Sequence, residues 1–311
     1  LIAFTHMSNV TGTVTPVKEI VALARGKGIA TLVDGSQGAV HLPVDVQDLG
    51  CDFYVMTGHK LYGPTGIGVL YGRREMLERT RPFKGGGEMI VEVSEEGVSY
   101  NAPPHRFEAG TPPIVQAIGL AAALDYMRGI GREAILAHEE SLRDYAHERL
   151  KAINALRIYG EAPGKGAIVS FDLEGIHAHD VSMVIDREGV AVRAGTHCAQ
   201  PLLKRFGATS TCRASFGLYN TKAEIDRLVQ VYSAMRPKDA APVMASLEDR
   251  VRLPVAAAMR PRTLAAIMAQ MQPAQAKELT EKLAARFQAQ QMAARALAAE
   301  PEILLADEAT S

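Results

Sequence analysis

Short apolar runs closed by polar clusters set the pattern of the first 232 residues. Leu1-Ile2-Ala3-Phe4, Ile29 to Val33, Phe53 to Met56 and Ile67 to Tyr71 each have the length of a strand. Three of them break into groups able to do chemistry: Thr5-His6-Met7-Ser8-Asn9, Asp34-Gly35-Ser36-Gln37-Gly38 and Thr57-Gly58-His59-Lys60. Between the first two runs, Val17, Ile20, Val21 and Ala24 recur at helical spacing, opened by Pro16 and closed by Gly26 and Gly28. Strand, helix and strand within about thirty residues make a βαβ unit, and hence a parallel sheet. Ligands of such sheets bind beyond the strand carboxyl ends, so Asp34, Gln37 and Lys60 are expected near one edge.

After Tyr71 the pattern predicts a charged helix, a flexible loop at Gly85-Gly86-Gly87, and a polar segment from His105 to Pro112. A long apolar helix from Pro113 to about Met127 and an amphipathic helix over roughly Glu133 to Asn154 follow. Strands are expected at Ala167–Leu173, Val190–Arg193 and Cys212–Phe216, with a closing helix at Lys222–Met235. Past residue 232 aromatics nearly vanish, and Met235, Leu247, Met259 and Met271 mark a 12-residue repeat of short helices that bury their faces by stacking. The expected domains are 1–127 (part of a large α/β domain), 128–232 (a small α+β domain), 233–287 (helical repeat) and 288–311.

Composition narrows the classes. A chain of 311 residues can bury a sizeable core, and a net charge of −1 gives no sign of a general nucleic-acid or membrane surface. No apolar run is long enough to span a bilayer. Three cysteines, Cys51, Cys198 and Cys212, have no close metal-type spacing, and their odd number argues against a disulfide framework; a reducing cytosol is the natural compartment. The chain opens on Leu1 inside a strand, which predicts further sequence upstream.

Lys60 is the centre of the candidate chemistry. A lysine between two core strands is costly unless it snorkels, pairs or is chemically committed. Taken alone it suits a surface hairpin. With Thr57 and His59 beside it as phosphate donors and Asp34 at another strand end, it suits a lysine that holds pyridoxal phosphate (PLP). Cys198, in the polar loop Ala194-Gly195-Thr196-His197-Cys198-Ala199-Gln200-Pro201, is the candidate nucleophile, and His197 is expected to help favour its thiolate. Cys51 and Cys212, beside strand residues, are read as structural. His6 and His41 lack partners at metal spacing and are read as satisfied polar residues.

Six motifs in order resemble the C-terminal part of the SufS-type cysteine desulfurases, class V members of the fold-type I PLP enzymes. They are Thr5 to Asn9, Val33 to Gln37, Thr57 to Gly66, Arg106 to Pro112, Arg193 to Pro201 and Cys212 to Ser215. The short loop around Cys198 looks like the SufS rather than the NifS/IscS group. The resemblance implies an α/β fold of fold type I, with a partial large domain, a small α+β domain and an all-α tail. It implies that Lys60 holds PLP and moves protons, that Asp34 pairs with the pyridine nitrogen, and that Gln37 faces the phenolic oxygen. Thr57 and His59 would bind the phosphate, helped by Thr111 from a second subunit of a homodimer. Arg213 would clamp the substrate carboxylate with Asn9 in support, and Cys198 would take sulfur from L-cysteine for a SufE/SufU-type acceptor in iron–sulfur assembly. The family's upstream half of the large domain, with a ring-stacking histidine and a phosphate loop, is not in this sequence.

The tail is foreign to that family. Residues 233–287 look like the helical repeat of the MgtE magnesium-transporter N-domain or its flagellar relatives. Residues 291–311, ending in Glu302 to Asp307-Glu308, look like the Walker B end of an ATP-binding-cassette domain, with no phosphate-cradling loop in the chain. Two other readings stand beside the desulfurase: another class V PLP enzyme, such as an aminotransferase or kynureninase-like lyase, which needs no thiol, and a non-catalytic scaffold with a truncated PLP half.

Overall fold

The computed structural model describes residues 1–153, 156–174, 176–234, 241, 244–245, 249–259 and 261–298. Its first sheet runs β1 (Ile2–Thr5), β2 (Thr31–Asp34), β3 (Phe53–Thr57), β4 (Gly68–Gly72) in that order. The first three strands are parallel, as the βαβ pattern requires, with α1 (Val17–Gly26) crossing from β1 to β2. β4 returns antiparallel to β3, because the connection through Lys60 is too short for a crossover. Two single turns, α2 (Gly38–His41) and α3 (Val46–Leu49), lie between β2 and β3. Val17, Val21, Val33, Cys51, Tyr54 and Leu61 form the core of this unit.

The predicted charged helix is α4 (Arg74–Arg79). Beyond it the chain makes an exposed hairpin, β5 (Ile90–Ser94) with β6 (Gly97–Tyr100), that the pattern reading missed. The signal is in the residues: Val91-Glu92-Val93-Ser94 and Val98-Ser99-Tyr100 alternate apolar and polar on either side of a turn at Glu95-Glu96. The long apolar helix is α5 (Ile114–Ile130) and the amphipathic one α6 (Arg132–Lys151). The expected boundary at 127/128 falls inside α5, and the backbone turns instead at Gly131, φ 97°.

The second sheet is antiparallel throughout. In chain order its strands are β7 (Leu156–Tyr159), β8 (Ile168–Leu173), β9 (Arg193–Gly195) and β10 (Thr211–Ser215), and across the sheet they run β7-β8-β10-β9. α7 (Ala178–Arg187), α8 (Gln200–Arg205) and α9 (Lys222–Ala234) complete this unit. β9 starts three residues later than expected. Val190 is still the exit of α7: Gly189 at φ 77° and the bonds Gly189 N→Asp186 O and Val190 N→Ile185 O close the helix with a left-handed cap.

α6 joins the two units. Its Ile135 belongs to the first core, while Leu142, Ala146 and Leu150 belong to the second with Phe171, Val169 and Leu228. The loop after β1 joins them again, since Ser170 Oγ donates to Val10 O at 2.5 Å and Gly166 N donates to Gly12 O at 2.8 Å.

In the tail, α10 (Asp249–Ala258), α11 (Pro261–Met268) and α12 (Pro273–Ala298) begin 12 residues apart and close over a core of Ala256, Ile267, Met271, Leu279 and Leu283. α12 runs unbroken through the expected boundary at 287/288, so residues 291–298 are helix. Asp307 and Glu308 lie outside the described residues.

Candidate active site

The carboxyl ends of β1, β2 and β3 bring three polar clusters to one edge. Asp34 closes β2 in register with Thr5 of β1 and Val55 of β3. Its carboxylate is fixed locally, because Oδ1 accepts the Ser36 backbone N–H at 2.9 Å. Gln37 sits at the entry to α2. Thr57 ends β3, and Gly58 to Lys60 make a single tight turn that places Lys60 beside the same edge. The Thr57 hydroxyl and His59 Nδ1 are hydrogen bonded at 2.8 Å, so the two proposed phosphate donors are neighbours in space as in sequence.

The loop from Asp34 to Gly38 rests on a buried pair that the sequence reading did not assign to the site. His6 Nδ1 and the Tyr54 hydroxyl are 3.0 Å apart, with the rings edge to face. Burial lowers the His6 pKa, and burial foremost raises that of Tyr54, with the neighbouring Cys51 and Asp34 adding to it. Both are therefore neutral, a satisfied polar pair as expected for His6. A Cβ at Gly35 would lie 2.0 Å from the Tyr54 ring, and one at Gly38 would lie 2.6 Å from His6 Nδ1. The glycine spacing of Asp34-Gly35-Ser36-Gln37-Gly38 is the sequence signal for this close approach.

Tyr62 is a second residue without an assigned role. It adopts φ 59°, and its hydroxyl accepts the Leu218 backbone N–H at 3.1 Å. It thereby ties the Lys60 turn to the segment that leaves β10. His41, another histidine read as satisfied, pairs its Nδ1 with Glu139 Oε2 of α6 at 2.7 Å in the core.

From the second unit come Arg213 and Cys198. Arg213 lies on β10 opposite Arg193 of β9, and its Nη1 donates to the Asn9 carbonyl at 2.8 Å. Its buried Nε has no hydrogen-bond partner among the described residues. Burial, and then the charge of Arg193, lower its pKa, while Cys198 opposes the shift. A half-buried cation with a buried, idle donor suits an anion. Asn9 supports Arg213 through its main chain; its side-chain amide goes elsewhere, donating to the His197 carbonyl at 2.6 Å.

Cys198 is exposed, and Cys51 and Cys212 are buried; none of the three is in a disulfide. Cys212 Sγ donates to the Ala178 carbonyl, a structural contact. His197 does not act on the thiol as expected. Its ring is buried, with Nε2 on the Thr211 carbonyl at 3.0 Å and the Thr211 hydroxyl at 2.9 Å. Burial, and then the charges of Arg213 and Arg193, push its pKa down to about 4. The ring is neutral at pH 7 and brings no positive charge to a thiolate. Thr111 is exposed on the segment before α5 and makes no hydrogen bond to another candidate residue among those described. Three exposed apolar residues, Ile114, Val115 and Ile118, follow it on α5.

Comparison with known proteins places these residues in context. The family model described as aminotransferase class-V matches residues 1–228. A probable cysteine desulfurase of Xylella fastidiosa is 54% identical over 236 residues, 76% of this chain and 57% of that protein. The cysteine desulfurase of Pectobacterium atrosepticum is 50% identical over 230 residues, covering 74% and 56%. Among solved structures, the Escherichia coli cysteine desulfurase CsdA, in an S-sulfonic acid form, superposes with a TM-score of 0.71 at 43% identity, over 74% of this chain and 57% of that one. The apo cysteine desulfurase of Thermococcus onnurineus gives 0.72 at 39%, over 74% and 58%. This chain thus spans a little over half the length of the relatives it matches.

Proposed function

The chain belongs to the class-V aminotransferase family, and on that footing we propose that it is the catalytic part of a PLP-dependent cysteine desulfurase. Its fold is that of the fold-type I PLP enzymes. The observation that carries the activity is a half-buried arginine, Arg213, whose Nε is buried without a partner among the described residues and whose charge is felt by an exposed thiol, Cys198. The Xylella and Pectobacterium relatives, a probable cysteine desulfurase at 54% identity and a cysteine desulfurase at 50%, support it.

The residues present fit PLP. Lys60 Nζ would hold it covalently, Thr57 and His59 would take its phosphate, and Gln37 would face its phenolic oxygen. The Asp34 carboxylate, pinned by Ser36 N and backed by the Tyr54–His6 pair, suits a protonated ring nitrogen. When bound, the group supplies an electron sink for bond cleavage next to the substrate amine. Arg213 would hold the L-cysteine carboxylate through its idle Nε, a job that suits a planar fork. Lys60, released from its covalent role, would move protons at the substrate carbon. The Cys198 thiolate would attack the substrate sulfur. The new S–S bond forms as the C–S bond breaks, the electron pair stays on the substrate carbon, and a proton delivered there completes L-alanine. An exposed Cys198 favours this reading over a class V aminotransferase or lyase, whose chemistry needs no thiol, and over a scaffold.

Two partners follow within the proposal. A homodimer would cover the apolar face of α5 and let Thr111 reach the partner's phosphate site. A SufE/SufU-type acceptor would receive the persulfide from the exposed loop. Three cysteines outside any disulfide suit a cytoplasmic setting, and no helix among the described residues is long and apolar enough to cross a membrane. Residues 233–287 are proposed as a helical module of the MgtE N-domain kind, supported by helix starts 12 residues apart.

The test is mass spectrometry of the chain after incubation with PLP and L-cysteine. One added sulfur is expected on Cys198, none on Cys51 or Cys212, and none at all in Cys198→Ala. Added sulfur on the buried cysteines alone would overturn the mechanism.

A further inference from the structure

The loop that carries Cys198 is held in a backbone conformation its residues do not favour. His197 and Cys198 lie at φ 53° and 59°, two consecutive left-handed positions occupied by residues with side chains. Such a pair persists only where its surroundings over-determine it. Two contacts do so here. Thr211 fixes the His197 ring, and Asn9 Nδ2 holds the His197 carbonyl at 2.6 Å. That carbonyl belongs to the peptide joining His197 to Cys198, so its direction sets the torsions on either side.

Asn9 is itself anchored. Ser8 Oγ accepts the N–H groups of Val10 and Thr11, and Gly12 N donates to the Ser8 carbonyl. Ser170 and Gly166 of the second unit then hold Val10 and Gly12. With its main-chain carbonyl engaged by Arg213 and its amide engaged by His197, Asn9 touches both the carboxylate clamp and the nucleophile loop.

We propose that Asn9 is a positioning residue for Cys198: its side-chain amide locks the His197–Cys198 peptide in the left-handed turn, and its main chain ties that turn to Arg213. The lock is a property of the fold alone. Its consequence for sulfur transfer rests on the desulfurase reading.

Hydrogen exchange of the full chain tests the lock without any turnover. The Ala199 amide, which bonds to the Thr196 carbonyl at 2.9 Å, reports on the loop. In Asn9→Ala, and in Asn9→Asp, which keeps the size but loses the donor, the peptide covering 194–200 should exchange about five- to tenfold faster, as the loss of one hydrogen bond implies. Peptides covering β8 and β10 should not change. Persulfide kinetics supply the second readout: in Asn9→Ala the rate at saturating cysteine should fall about five- to tenfold with KM within about twofold, because the carbonyl that meets Arg213 is unchanged. An unchanged loop, an equal rise over β8 and β10, or a raised KM with an unchanged rate would each overturn the proposal. If the parent chain forms no persulfide, the desulfurase reading fails, and exchange still decides the lock.

Discussion

Adding one methyl group at Gly35 tests how the Asp34 loop is held. The Cβ of Gly35→Ala would fall 2.0 Å from Tyr54 Cε1 and Cζ and 2.2 Å from its hydroxyl oxygen, about 1.4 Å short of ordinary contact. The ring cannot yield: Tyr54 is fully buried, edge to face with His6 and hydrogen bonded to it. The loop must therefore lift, and Asp34 is the adjacent residue. Overpacking of this kind costs about 1–3 kcal/mol, and each kcal/mol lowers Tm by about 2–4 °C in a domain of this size. Lifting the carboxylate by an ångström should also weaken a hydrogen-bonded ring nitrogen by at least about tenfold in affinity. Thermal melts and a titration with PLP followed by visible absorbance measure the two effects together. Gly26→Ala, on α1 with no atom within 4 Å of the added Cβ, is the control and should lower neither Tm nor PLP affinity. If Gly35→Ala melts and binds like the parent, the loop does not rest on Tyr54 and the account of Asp34 fails.

Arg213→Lys should raise the KM for L-cysteine about tenfold or more while leaving PLP binding intact, since the planar fork is lost and the Asn9 carbonyl keeps at most one donor; unchanged affinity would remove Arg213 from the carboxylate site. Acidification should destabilise the chain between about pH 6.5 and 4. His197 and His147 both have folded pKa values lowered to about 4, mainly by burial, with Arg213 and Lys165 respectively the next cause. In that window the unfolded chain binds protons that the folded chain does not, so stability is present above pH 6.5 and lost as pH falls. Urea midpoints against pH should flatten in His197→Gln, and an unaltered slope would refute its neutral, buried state. Cutting the chain after Ala234 should leave PLP binding and persulfide formation in place, because the tail closes over its own core and meets the second unit chiefly at Val184 of α7; loss of both in a soluble product would make the tail integral.

The βαβ unit, the strand-end clusters and the helices α5, α6 and α9 were legible in the residues alone, because period 2 and period 3.6 burial leave direct marks on the order of side chains. Lys60, Asp34 and Gln37 were legible as edge residues for the same reason: a parallel sheet collects its strand ends whatever its details. The repeat beyond residue 232 showed its period, and helix starts at Asp249, Pro261 and Pro273 keep it. The structure alone decided how distant residues divide their bonding capacity. Sequence makes Asn9 a support for Arg213; in the fold its carbonyl serves Arg213 while its amide serves His197, 188 residues away. Sequence makes His197 an aid to the thiolate, and burial against Thr211 makes it a neutral anchor. The Tyr54–His6 pair and the Tyr62 link to Leu218 stayed unseen because no local pattern encodes a contact between strands. Pattern reports which face a residue takes. Which partner waits on that face depends on packing, and desolvation by that packing sets whether a histidine carries a charge.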